Sequence, residues 1–230
     1  MKCSWYNCTG FSSRKFEDAS AALLKRPFRT DSLTGFKIES VSTTAVEGTY
    51  IEKTEFTETL TDPFGRVTEI PRVRYDSFNF RLFKTFPEIE LIDPVRSVKG
   101  FFSEVSRAFG FDIVLSKPKA DVRKWLERIE QKSKRTEVRR MFFTGIDIEH
   151  AAIGQLIVVG DTDVRHPSET FLRSKRAELE KLTFRGELNG SVVSCELSSS
   201  CRATIEGGDL DDLVITLRRA LPMAVGDRKS

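Results

Sequence analysis

Between residues 35 and 92, Thr, Val, Ile and Phe alternate with charged residues, as in Tyr50-Ile51-Glu52-Lys53-Thr54-Glu55-Phe56-Thr57. A period of two sends successive side chains to opposite faces of an extended chain. This stretch therefore buries an apolar surface only as sheet. Asp62-Pro63-Phe64-Gly65 places Pro second and Gly fourth in a turn, and Val67–Ile70, Val73–Phe83 and Ile89–Ile92 supply further strands. The pattern predicts an antiparallel meander.

The flanking segments read differently. Residues 2–9 are β-prone. Phe16, Ala19, Leu23 and Leu24 recur at helical spacing, predicting a helix over about 14–25 that Pro27 ends. Asp93-Pro94 predicts a helix start, with Asp as N-cap, and Val98, Phe101, Phe102, Val105 and Phe109 form its apolar stripe up to Gly110.

From Phe111 the elements follow as strand (Phe111–Leu115), helix (Val122, Trp125, Leu126, Ile129), strand (Val138–Ile148), strand (Ala152–Val159), helix (Phe171, Leu172, Leu179, Leu182) and strand (Phe184–Leu188). This βαββαβ order predicts a ferredoxin-like sandwich with two helices on one face of a four-stranded sheet. Asn189-Gly190 predicts a tight hairpin into Val192–Leu197. Arg202–Ile205, Gly207-Gly208 and a helix capped by Asp209 follow. The expectation is an α+β chain with a β-rich N-terminal domain (1–93), a ferredoxin-like domain (94–225) and a frayed tail (226–230).

Composition narrows the function classes. Phe accounts for 18 of the aromatics beside 3 Tyr and 2 Trp, and a ring without a polar handle is core material. The net charge of +3, from 37 basic and 34 acidic residues, is too small to demand nucleic acid or an anionic membrane. No apolar run approaches the roughly 20 residues of a membrane helix, and the first residues lack a secretory signal's apolar core. A cytoplasmic chain is expected. Cys3, Cys8, Cys195 and Cys201 show no CxxC spacing and read as free thiols.

Phosphate-binding glycine loops, the GxSxG elbow and HExxH are all absent from the sequence. His150 falls between two strands and His166 before a helix, which leaves few candidate bases. Asp147, Glu149, Asp161 and Asp163 are the candidate metal set. The first two share a strand face and the others leave the next strand, so together they resemble carboxylates that hold Mg²⁺ or Mn²⁺ for phosphodiester hydrolysis. Asp76-Ser77-Phe78-Asn79-Phe80-Arg81-Leu82-Phe83 has the aromatic spacing of an RNA-binding strand. It lacks that strand's basic and glycine positions, so the rings read as core.

Basic residues gather in two stretches. Arg123, Lys124, Arg128, Lys132, Lys134, Arg135, Arg139 and Arg140 form the first, and Arg173, Lys175, Arg176, Lys181 and Arg185 the second. Helices side by side on one sheet face would align the two sets as a phosphate-binding surface. Interspersed glutamates would neutralise part of it. The reading is a non-enzymatic binding or assembly subunit, with nucleic-acid phosphates or another protein as ligand and no cofactor. The alternatives are a metal-dependent hydrolase and a purely structural partner that pairs through an edge of the meander.

Overall fold

A computed structural model describes residues 1–9, 13–148, 152–173, 175–188 and 190–224, without the side chains of 13–15, 19 and 222–224. The chain is α+β, with antiparallel sheet predominating and five helices among the described residues. It divides into two compact units, one of Met1–Asn7 with Ser116–Ser230 and one of Cys8–Leu115. This division differs from a boundary at 93/94. Strand β1 (Lys2–Thr9) pairs through Lys2, Cys3 and Ser4 with Thr204, Ala203 and Arg202, so the first residues group with the last strands.

The Cys8–Leu115 unit opens with α1 (Ser13–Leu24). A meander follows in the order β2 (Thr34–Val41), β3 (Ala45–Thr61), β4 (Val67–Phe83) and β5 (Ile89–Ile92). The expected strands 67–70 and 73–83 are one continuous β4, with Pro71 inside it. Helix α2 (Lys99–Ala108) starts five residues later than a cap at Asp93 would place it. Its N-cap is Val98, which offers no side-chain hydrogen bond, and Asp93 instead adopts φ 47°. Gly110, at φ 65°, ends it as expected.

Phe101 of α2 packs against Phe36, Tyr50, Phe78 and Phe80 with ring centroids 5.2–6.2 Å apart. This aromatic cluster is the unit's core. Phe78, Phe80 and Phe83 are all buried in it or beside it, as the core reading of that strand expects. Phe102 is half-buried. Strand β6 (Val114–Ser116) is short, and Phe111 lies outside it, exposed at φ 62°.

The other unit contains α3 (Val122–Glu130), β7 (Ser133–Ile148), β8 (Ala152–Val159), α4 (Arg165–Leu172), β9 (Glu178–Leu188), β10 (Ser191–Ser198), β11 (Arg202–Glu206) and α5 (Leu210–Ala224). Asp121 caps α3 by accepting from the N–H groups of Arg123 and Lys124, and Asp209 caps α5 likewise through Asp211 and Asp212. Trp125 is fully buried. Its ring lies edge-on to Trp5 at 5.5 Å, and its indole N–H donates to the Leu217 carbonyl.

The βαββαβ order is present, but the strands do not pair as a ferredoxin-like sandwich. Strand order is β11-β10-β9-β7-β8, with β9 directly against β7, and β6 takes no place beside β7, β8 or β9. Both flanks of β9 are taken by other strands. Leu188 pairs with Ser191 across a two-residue turn, so β10 takes one flank of β9, β7 takes the other, and the three-residue β6 pairs with β1 instead. Gly190 sits there at φ 81°, while Asn189 and the tail 226–230 lie outside the described residues. Leu179 and Leu182, expected on a helix, belong to β9.

Candidate interaction surface

The carboxylates proposed for a metal separate into two groups. Strands β7 and β8 are antiparallel, with Asp147 opposite Ile153 at one end and Arg140 opposite Val159 at the other. Asp161 and Asp163 leave β8 at the far end, where the Asp163 carboxylate accepts from the Val138 N–H. At about 3.3 Å per residue, Asp147 is about 25 Å away, and metal–oxygen bonds span about 2–2.6 Å. One ion cannot bind both groups. The sequence reading placed them together because it did not account for the reversal of chain direction. Glu149 and His150 lie outside the described residues.

Asp163 is engaged elsewhere. Its oxygens accept from the Arg165 guanidinium at 2.7 and 3.0 Å, and Arg165 also reaches Glu130 of α3 at 2.8 Å. Burial alone would raise the Asp163 pKa. The hydrogen bonds from Arg165 and Val138, with the charge of Arg165, outweigh it and hold the carboxyl below its usual value. His166 is exposed in the first turn of α4.

The basic stretches are only partly helical. Arg123, Lys124 and Arg128 lie on α3, but Lys134, Arg135, Arg139 and Arg140 lie on β7, and Lys132 sits in the turn before it. Arg173, Lys175 and Arg176 follow α4 in the connection to β9, where Lys181 and Arg185 lie. Two ion pairs join the helices, Arg123–Glu169 at 3.0 Å and Arg165–Glu130 at 2.8 Å. They set α3 and α4 antiparallel. Arg173, Lys175 and Arg176 therefore continue past the start of α3, and Lys132–Arg135 past its end.

Lys134 pairs with Glu187 and Arg139 with Glu137. Lys124, Arg128, Lys132, Arg135, Arg173 and Arg176 are exposed and make no ion pair among the described residues. Lys175 stacks on Phe171 at 4.9 Å.

A feature that the charge pattern did not flag lies in the meander. Strand β2 follows β3 as far as Glu52, and β5 pairs with β4 only at Asn79–Leu82. From Thr54 to Thr61 and from Arg74 back to Val67, β3 and β4 pair only with each other among the described residues. This ribbon is about 30 Å long at strand rise. Phe56, Leu60, Val67, Val73 and Tyr75 are each about half-exposed along it, and Phe64 at its turn is 89% exposed.

The ribbon's charges largely answer one another, through Lys53–Glu55 at 2.6 Å, Arg72–Glu58 at 2.8 Å and Arg74–Asp76 at 2.9 Å. Asp62 accepts from the N–H groups of Phe64 and Arg66 and holds the turn. The signal in the sequence was the length of the alternation. Two strands of 17 residues carry apolar positions well beyond the reach of their short neighbours.

Among the described residues, no helix is long and apolar enough to cross a membrane. No protein-family model matches the chain, and no curated protein matches its sequence.

Proposed function

We propose that this chain is a non-enzymatic binding or assembly subunit and that the β3–β4 ribbon is its contact with a partner polypeptide. The observation that carries the reading is the apolar surface of that ribbon. A two-stranded hairpin is marginal by itself in water, yet this one exposes Phe56, Leu60, Phe64, Val67, Val73 and Tyr75. Phe56 and Leu60 lie on one face of the ribbon and Val67, Val73 and Tyr75 on the other, so a partner that clasps both faces would cover these exposed apolar groups. With four basic and five acidic residues between Lys53 and Asp76, the ribbon has no charge excess to attract phosphates. Four unbridged, buried thiols support a reducing compartment such as the cytoplasm.

The test is a shortened ribbon in which an Asn-Gly turn replaces Glu55–Val73 and joins Thr54 to Arg74, which the register makes a hydrogen-bonded pair. The shortened protein should keep its melting temperature. Quantitative pull-downs from the native host should show partners held by the full chain and depleted about tenfold or more with the variant. Identical partner sets would refute the ribbon as the contact.

A second reading has its own observation. Lys124 and Arg128 share one side of α3, Lys132 follows, and all three are exposed without an ion-pair partner among the described residues. We propose this stripe as the surface for nucleic-acid phosphates. Binding would weaken steeply with salt, and replacing the three residues with Glu should abolish it in a low-salt fluorescence titration. Equal affinity of wild type and triple variant would remove the stripe from consideration.

A further inference from the structure

The outer edges of β2 and of β4 in the ribbon carry protection. The outer edge of β2 is partly covered by the segment 26–28, through Phe28 N–H to the Phe36 carbonyl and Phe36 N–H to the Arg26 carbonyl. It also carries a register shift between Ile38 and Ser40 and the charges of Lys37 and Glu39. On the ribbon, Asp62 N–H donates to the Arg66 carbonyl. Alternation along the ladder then makes Pro71, opposite Thr57, a pair without mutual hydrogen bonds. Its nitrogen faces the outer edge of β4, where proline removes a donor. Charges, bulges, covering segments and proline are the usual means of preventing edge pairing.

Among the described residues, strand β8 carries no charge, no proline and no covering segment, and the register shift in its ladder, between Phe143 and Ile146, puts the extra residue in β7. It is the last strand beside β7, and its sequence, Ala-Ile-Gly-Gln-Leu-Ile-Val-Val, contains no charge and no proline. Ile153, Ile157 and Val159 are 75%, 51% and 68% exposed. Gly160 N–H donates to the Arg139 carbonyl, continuing the β7–β8 register. By alternation, the N–H and C=O groups of Ile153, Gln155, Ile157 and Val159 point away from β7. Both the apolar side chains and the unpaired backbone groups are thus presented at one edge.

We infer that β8 is a homodimer edge, pairing antiparallel with β8 of a second copy about a twofold axis at Leu156. This inference is independent of the ribbon. The register uses every outward-facing residue. Ile153 lies opposite the second copy's Val159, and Gln155 opposite its Ile157, exchanging roughly eight backbone hydrogen bonds. Leu156 meets its own counterpart.

An uncharged strand meets no like charge in any self-pairing register. The flanking charges are complementary. On the exposed face, Arg140 lies beside Val159 and Asp147 beside Ile153. Each row of side chains crossing the axis therefore begins on Arg140 of one copy and ends on Asp147 of the other. A twofold contact is isologous and closes at two copies.

Sedimentation equilibrium on the full chain tests the inference. Wild type should have twice the 26.1 kDa chain mass. Ile157→Pro removes an outward N–H, leaves the β7 ladder intact, and should halve that mass without lowering the melting temperature. Ile157→Lys should do the same. Under mild oxidation, Leu156→Cys should cross-link into a covalent dimer, because directly opposed residues approach to about 4.5–5.5 Å between Cα atoms. Ile153→Cys should not, since its counterpart is about 20 Å away along the strand. A monomeric wild type, or a dimer that persists in Ile157→Pro, would overturn the assignment.

Discussion

At the scale of single residues, Gly100 and Tyr50 show how closely α2 approaches the meander. A Cβ on Gly100 would lie 2.6 Å from the Tyr50 hydroxyl oxygen and 3.0 Å from Oε2 of Glu52. Tyr50 is 1% exposed, and its hydroxyl makes no hydrogen bond among the described residues. Burial, reinforced by the charges of Glu52 and Glu104, raises its pKa, so it stays neutral throughout the physiological range. Tyr50→Phe should therefore leave stability unchanged or raise it by up to about 1 kcal/mol. Gly100→Ala should cost about 1–3 kcal/mol, because overpacking outweighs the helix preference of Ala. The cost should shrink in the Tyr50→Phe background. Urea denaturation of the four-member cycle checks this, and strict additivity would show that the hydroxyl does not set the approach.

At the scale of elements, the link between β8 and α4 is held by charge as much as by packing. Asp163 receives Arg165 and the Val138 N–H, and Arg165 extends to Glu130, so one guanidinium ties this connection to α3. Asp163→Asn should cost about 1 kcal/mol at neutral pH, a modest figure because both side chains are about one-third exposed. The native carboxyl is held below its unfolded value. Its contribution is therefore complete above the unfolded value and is lost as pH falls through the native one. Stability of wild type and Asp163→Asn should converge on acidification. A pH-independent difference in urea midpoints would place the effect in packing.

At the scale of the whole molecule, the four cysteines report on the two units separately. Cys8 belongs to one unit and Cys3, Cys195 and Cys201 to the other. Burial pushes Cys8 and Cys201 up to about 12, with Glu88 adding to the first and Lys117 partly opposing the second. Burial raises Cys195 as well. The thiolate is the reactive form, so native protein at pH 8 should react with a disulfide reagent at none of these sites and release four equivalents on denaturation. Rapid native-state labelling of Cys8 alone would reveal local opening of the Cys8–Leu115 unit.

What the sequence determined by itself was local. Alternation specified the meander, the 3.6-residue stripe placed Trp125 in the core, and Asp209 stood where capping chemistry requires an acceptor. Turn residues such as Gly65 and Gly190 were legible because positive φ favours glycine. Pairing was decided only in three dimensions. The direction of β8 relative to β7 separated Asp147 from Asp163, the short hairpin put β10 beside β9, and β1 joined β11 across nearly the whole chain. Strand partners are chosen by long-range burial and backbone hydrogen bonding, which leave no periodic trace in either strand alone. The same holds for the two exposed surfaces. Phe56 and Ile157 look like core residues in a one-dimensional pattern, and only the absence of a neighbouring strand among the described residues makes them contact candidates.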